Sequence, residues 1–254
     1  MIFDTHAHYD DEDFDVDREE LLSGMKAAGV SHIVNIGASL ESTRRSLELA
    51  KKYDFIYAAV GVHPSDTAEL NEETFAWLTK QCELPKVVAV GEIGLDYYWD
   101  EPERTIQQKW FERQLQLAKE VKKPVSIHSR EAANDTFSIM KNAHAEEIGG
   151  VIHCFSYGKE MAREFLNMDF YFGIGGVLTF NNGKKLKEAA AYIPMDKILL
   201  ETDCPYLAPV PYRGKRNNST YLTYVVQELA KIKGLSEEEV IRITRENGEK
   251  LFSI

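Results

Sequence analysis

Ile2-Phe3-Asp4-Thr5-His6-Ala7-His8 is a short apolar run that ends in two histidines. The pattern returns along the chain. Val87-Val88-Ala89-Val90-Gly91 leads to Glu92, and Pro124-Val125-Ser126-Ile127 leads to His128. Gly150-Val151-Ile152 leads to His153, and Ile198-Leu199-Leu200-Glu201-Thr202 leads to Asp203. Short apolar runs bounded by polar and turn residues read as buried strands. Residues 2–8, 32–36, 56–60, 87–93, 124–128, 150–153, 170–174 and 198–201 make eight of them. Amphipathic helical patterns fall between, over 19–28, 40–53, 72–81, 103–122, 131–143, 159–168 and 183–192. Within 103–122, Trp110, Gln114, Leu117 and Val121 recur at helical spacing. Strands alternating with helices imply βαβ units and a parallel sheet. Eight units predict an α/β fold closed into a (β/α)8 barrel. Two extra C-terminal helices follow, over 221–233 and 236–251. Ser236 and Glu239 give the second a capping box.

The bulk properties agree. The chain has 254 residues and is 44% hydrophobic. That suits one barrel of roughly 250 residues better than two small domains. No Pro/Ser/Gly-rich linker divides it, so residues 1–254 are expected to form a single domain. The net charge of −11 disfavours general polyanion binding, so any nucleic-acid contact must be a local basic patch. No signal peptide and no membrane span are expected. Three cysteines cannot all pair within one chain, and they fit reduced thiols in a cytoplasmic protein.

A barrel collects chemistry at the carboxyl ends of its strands. His6, His8, His128 and His153 stand there, and His63 stands just past one. His32 begins a strand and His144 follows a helix, so both read as structural or surface residues. His6 and His8, two apart, point to the same face of a strand. Glu92 is a carboxylate able to bridge two cations about 3.5–4 Å apart. His128 and His153 supply imidazoles to the second ion. Asp203 can touch one ion and also take a proton from a water whose pKa the ion lowers towards roughly 7. Glu201, two residues earlier on the same face, reads either as an acid that orients a ligand from behind or as a buried acid hydrogen-bonded within the barrel. Cys154 and Cys204 are expected to be small buried residues. The implied cofactors are two divalent metal ions, with magnesium, manganese, zinc, nickel and iron all compatible with mixed imidazole and carboxylate donors.

At these residues the chain resembles the TatD family of metal-dependent deoxyribonucleases, within the amidohydrolase-like barrel superfamily. The resemblance runs from Asp4-Thr5-His6-Ala7-His8 to Leu251-Phe252. Its markers are Gly61-Val62-His63-Pro64, Gly91-Glu92-Ile93-Gly94-Leu95-Asp96-Tyr97, Ile127-His128-Ser129-Arg130, His153-Cys154-Phe155-Ser156, Glu201-Thr202-Asp203-Cys204-Pro205-Tyr206 and Pro211-Tyr212-Arg213-Gly214-Lys215-Arg216-Asn217. It implies a somewhat distorted TIM barrel that hydrolyses phosphodiester ends, an exonuclease with two metals. It implies metal roles for His6, His8, Glu92, His128, His153 and Asp203, all present here. Family members often carry Asn-Glu-Pro where this chain reads Asn217-Asn218-Ser219. That departure bears on the rigidity of the loop, not on a metal ligand.

Phosphate needs cationic donors as well as metals. Arg213, Lys215 and Arg216 form a basic cluster after the last strand, a common phosphate position in barrels. Arg130 and His63 are also placed for phosphate. Tyr97, Tyr98, Trp99, Phe155 and Tyr206 offer stacking surfaces for unpaired bases. The expected substrate is therefore DNA, at single-stranded ends, with no membrane and no obligate protein partner. Three readings compete: a small-molecule amidohydrolase or esterase, an aminoacyl-tRNA deacylase on the same metals, and a binding module with vestigial metal sites. The basic loop and the intact ligand set favour the nuclease.

Overall fold

A computed structural model describes all 254 residues. Its strands are β1 (Ile2–Ala7), β2 (Val30–Ile36), β3 (Ile56–Val60), β4 (Val87–Asp96), β5 (Val125–Arg130), β6 (Gly150–Ile152), β7 (Tyr171–Ile174) and β8 (Ile198–Leu200). All pair in parallel in the order β1 to β8. The helices are α1 (Arg18–Gly24), α2 (Leu40–Lys52), α3 (Glu72–Gln81), α4 (Arg104–Val121), α5 (Ala133–Asn142), α6 (Lys159–Asn167), α7 (Lys184–Tyr192), α8 (Leu222–Lys233) and α9 (Glu237–Phe252). This is the expected (β/α)8 barrel; of the two C-terminal helices, α8 completes the eighth unit and α9 is the helix beyond it. No helix is long and apolar enough to cross a membrane.

The barrel is distorted where β1 meets β8. One isolated bridge, Ala7 to Cys204, joins them. Around it the Asp203 N–H donates to the His6 carbonyl and the His8 N–H to the Cys204 carbonyl, both at 2.9 Å. The Thr5 hydroxyl adds a bond to the Leu200 carbonyl at 3.0 Å. The register also slips within β1–β2, β3–β4 and β4–β5. Helix α9 covers the other end of the seam. Asn247 donates to the Ile198 carbonyl, and Gly248 lies so close to Phe3 that a Cβ there would sit 2.6 Å from the ring. Ser236 and Glu239 form the expected capping box.

Helices α4 and α8 bury Phe111, Leu115 and Leu229 completely against the strands. Each such side chain stabilises by roughly 1.5–3 kcal/mol relative to exposure. His32 lies within β2 rather than at its start, between the rings of Phe3 and Tyr57. Strand β4 runs three residues beyond the expected 87–93, to Asp96.

Candidate metal centre

The six expected ligands meet at the carboxyl ends of the strands. On β1, the Nε2 atoms of His6 and His8 are 3.1 Å apart. His8 Nδ1 faces the Ile36 carbonyl at 3.0 Å, so that nitrogen donates outward and Nε2 is the atom turned inward. His6 Nδ1 is held by the Ser126 hydroxyl at 3.2 Å. Asp203 follows β8 with φ +57°, a left-handed turn that swings its carboxylate over the barrel mouth. Its Oδ1 lies 3.8 Å from His6 Nε2 and 3.5 Å from His8 Nε2.

Glu92 divides its two oxygens. Oε2 faces His6 and His8 at 3.5 and 3.7 Å. Oε1 faces His128 Nδ1 at 2.8 Å and His153 Nε2 at 3.0 Å. Close approach of β5 depends on Gly94, whose φ is +147°; a Cβ there would sit 1.9 Å from the His128 carbonyl oxygen. Glu201 is buried behind His153, with Oε1 3.4 Å from its Nδ1 and also accepting the Cys154 N–H. Its place depends on Gly173, since a Cβ there would lie 1.9 Å from Glu201 Oε2.

His63 also joins the cluster, with Nε2 3.9 Å from Glu92 Oε1. Its Nδ1 accepts the Ser65 N–H at 3.2 Å, which leaves the ring proton on Nε2. Burial and the neighbouring His128 lower its pKa to about 3, so the ring is neutral. His63 thus turns Nε2 towards the mouth, where it forms with Glu92 and His128 a group close enough to hold a cation.

Asp96 escaped the sequence reading. Its Oδ2 lies 3.0 Å from His128 Nε2, while Oδ1 accepts the N–H groups of Tyr98 and Trp99 at 3.0 and 3.1 Å. A carboxylate on the outer nitrogen of a ligating imidazole fixes its orientation and raises its basicity. The signal was present: Glu92, Gly94 and Asp96 alternate on one strand and share a face.

The electrostatics fit a cation site. Burial opposes charge on Glu92, yet His153, His63 and His128 together hold its carboxyl well below the usual range. Burial likewise disfavours His8 in its charged form, but Asp203, Glu92 and Asp10 raise it to about 9. His153 rises well above the ordinary histidine value because Glu92 and Glu201 outweigh its burial. Buried carboxylates therefore favour protons on His8 and His153, whereas burial lowers His6, and a divalent ion competes with those protons for the same places. The donor set of four inward imidazoles and two carboxylates matches that requirement. Burial pushes the Cys154 and Cys204 thiols far up, so neither supplies a thiolate.

The cavity above the ligands has a volume of about 780 Å³. His63 and Arg130 line it, as do Trp99 and Tyr206. The basic loop does not. Arg216 makes a two-pronged pair with Asp17, donates to the Asp13 carbonyl and packs on Phe14. Arg213 lies over the Phe180 ring, and Lys215 is exposed outside the cavity. Phe155 is buried in the core, and Tyr97 bonds Asp135 on the flank. The loop that lacks Glu-Pro is tied down by other means. Asn217 donates to the Thr202 and Tyr206 carbonyls, Asn218 caps the following turn, and the Ser219 hydroxyl donates to Asp4 at 2.6 Å.

A family model described as TatD related DNase matches residues 3–253. The chain belongs to the TatD family. An uncharacterized metal-dependent hydrolase, YabD of Bacillus subtilis, is 46% identical over 254 residues, covering both chains fully. The 3'-5' ssDNA/RNA exonuclease TatD of Citrobacter rodentium is 33% identical over 258 residues, covering 100% of this chain and 98% of its own. The crystal structure of YjjV, a TatD homologue from Escherichia coli, superposes with a TM-score of 0.94 at 31% identity, covering 100% of this chain and 98% of that one. This TatD chain is accordingly a metal-dependent hydrolase on a TIM barrel.

Proposed function

We propose that the protein is a nuclease that removes nucleotides from unpaired DNA ends, using two divalent cations. The observation that carries this reading is the division of Glu92, one oxygen towards His6 and His8 and the other towards His128 and His153. Two imidazole groups on either side of one carboxylate suit a bridged pair of ions. His6, His8 and Asp203 would hold one, and His128 and His153 the other. The ions would supply charge neutralisation of a phosphate and acidify a water.

The chain's own residues supply the rest. Asp203 is buried, which favours its neutral form, but His8, His153 and His6 hold its carboxyl below the usual range. It is thus ionised at neutral pH and placed to accept a proton from the attacking water. His63 Nε2–H and the Arg130 guanidinium donate to phosphate oxygens. Glu201 and Asp96 fix the rings of His153 and His128. The exonuclease name of the Citrobacter relative supports nucleic acid as substrate.

A matrix of substrates and cations tests the proposal. Single-stranded DNA, duplex DNA, RNA, aminoacyl-tRNA and simple esters would be crossed with magnesium, manganese, zinc and nickel. Single-stranded DNA should be cut from an end, chelation should abolish the reaction, and Asp203→Asn should lower kcat by roughly 10²–10⁴. Turnover of esters without turnover of any phosphodiester would overturn the nuclease reading.

A further inference from the structure

The two rims of the cavity differ. On one side Tyr206 donates to Asp11 at 2.9 Å, so an aromatic stands beside an acid. On the other, the Arg130 guanidinium lies 3.8 Å from the Tyr98 ring centroid and 5.9 Å from that of Trp99. Arg130 is the single Lys or Arg in the lining, against the carboxylates of Asp10, Asp11, Asp66, Glu92, Asp96 and Asp203. A polyanion therefore has one guanidinium to approach, and it stands among aromatics. Trp99 is 65% exposed and Tyr98 51%, although both are large apolar side chains. Their rings meet edge to face at 5.1 Å.

The backbone of this shelf is tied down. Asp96 accepts both backbone N–H groups, and Arg104 pairs with Asp100 at the end of the turn. Stacking on a ring whose backbone is already held in place lowers the ordering cost relative to a mobile loop. An indole face exposed at the mouth of a cavity, next to a guanidinium, matches one nucleotide unit: a base to stack and a phosphate to pair.

Building on the nuclease reading, we propose that Trp99 and Arg130 form a nucleotide subsite, in which an unpaired base stacks on the Trp99 indole while its phosphate pairs with Arg130. A base inside a duplex has both faces covered by its neighbours. The subsite thus selects single strands, and sequence hardly matters because every base has a face to stack.

The test compares Trp99→Ala and Trp99→Phe with wild type on two substrates, a single-stranded oligodeoxynucleotide and methyl p-nitrophenyl phosphate, a diester without a nucleobase. Trp99→Ala should lower kcat/KM on the oligonucleotide by roughly 5- to 150-fold. That loss should exceed the loss on the small diester at least fivefold, and Trp99→Phe should recover most of it. In parallel, binding of the oligonucleotide without turnover should quench tryptophan fluorescence in wild type and not in Trp99→Ala. Equal losses on both substrates, or an unchanged quench in Trp99→Ala, would overturn the subsite. If wild type cuts neither substrate, the nuclease reading fails, and the quench still decides whether Trp99 binds a base.

Discussion

Asp96→Asn isolates the support of one ligand from the ligand itself. The change keeps shape and volume, and its amide oxygen can still accept the N–H groups of Tyr98 and Trp99. What it removes is the carboxylate 3.0 Å from His128 Nε2. A hydrogen bond to a charged group is worth roughly 1.5–3 kcal/mol and a neutral one roughly 0.5–1.5, so the direct loss is about 1–1.5 kcal/mol. A second effect adds to it. The Asn amide can present N–H groups to Nε2, which moves the ring proton to Nδ1, the nitrogen facing Glu92 at 2.8 Å. The lone pair needed for a cation is then on the wrong side. Together these predict cation binding weaker by on the order of 10–100-fold. Competition against a chromophoric chelator would measure affinity and stoichiometry, with kcat followed at saturating metal. Loss of one of two bound ions, with rescue of kcat at high cation concentration, is the expected result. Unaltered affinity and stoichiometry would refute the claim that Asp96 sets the His128 ring.

Gly173→Ala should lower the melting temperature and the activity together, because the new Cβ would lie 1.9 Å from Glu201 Oε2; overpacking of this kind costs typically about 1–3 kcal/mol. Gly24→Ala is its control, since nothing lies within 4 Å of a Cβ there. Asp4 is raised to about 7, chiefly by burial, against the lowering effects of Ser219 and Thr202. Its folded pKa thus exceeds the unfolded value, the native state binds the extra proton, and stability falls as pH rises from about 4 to 7. Asp4→Asn mimics the protonated form, so denaturant titrations should show that decline removed; an identical decline in both proteins would sink the assignment. Arg216→Ala should cost about 1 kcal/mol or less of stability and leave oligonucleotide turnover within twofold, because its guanidinium is committed to the partly exposed Asp17. A tenfold loss of turnover at unchanged stability would return Arg216 to a phosphate role.

The fold was legible because its strands are short, apolar and regularly spaced, and the barrel rule turned their ends into a list of ligands. His6, His8, Glu92, His128, His153 and Asp203 all come together on that logic. Asp96 was missed because the apolar run of β4 ends at Ile93, whereas a register slip between Val90 and Ile93 carries the strand on to pair Asp96 with Arg130. The basic loop misled for a different reason. Closeness to β8 in sequence says where Arg216 starts, but not that Asp17, nearly the whole chain away, captures its side chain. His63 lines the mouth, but which of its nitrogens turns inward follows from the Ser65 N–H bonded to Nδ1, a contact that sequence spacing does not specify.

The bridge between Ala7 and Cys204 has a consequence for the order of assembly. Asp203, which completes the cluster of His6 and His8, lies 195 positions beyond His8 in the sequence. Backbone bonds across the seam join the same segments that bring these side chains together. Ring closure and completion of the donor set are therefore one event. A chain interrupted before β8 keeps seven of its eight strands and all of its imidazoles, yet has neither a shut barrel nor the Asp203 carboxylate. Hydrolytic competence therefore arrives with closure of the barrel rather than strand by strand.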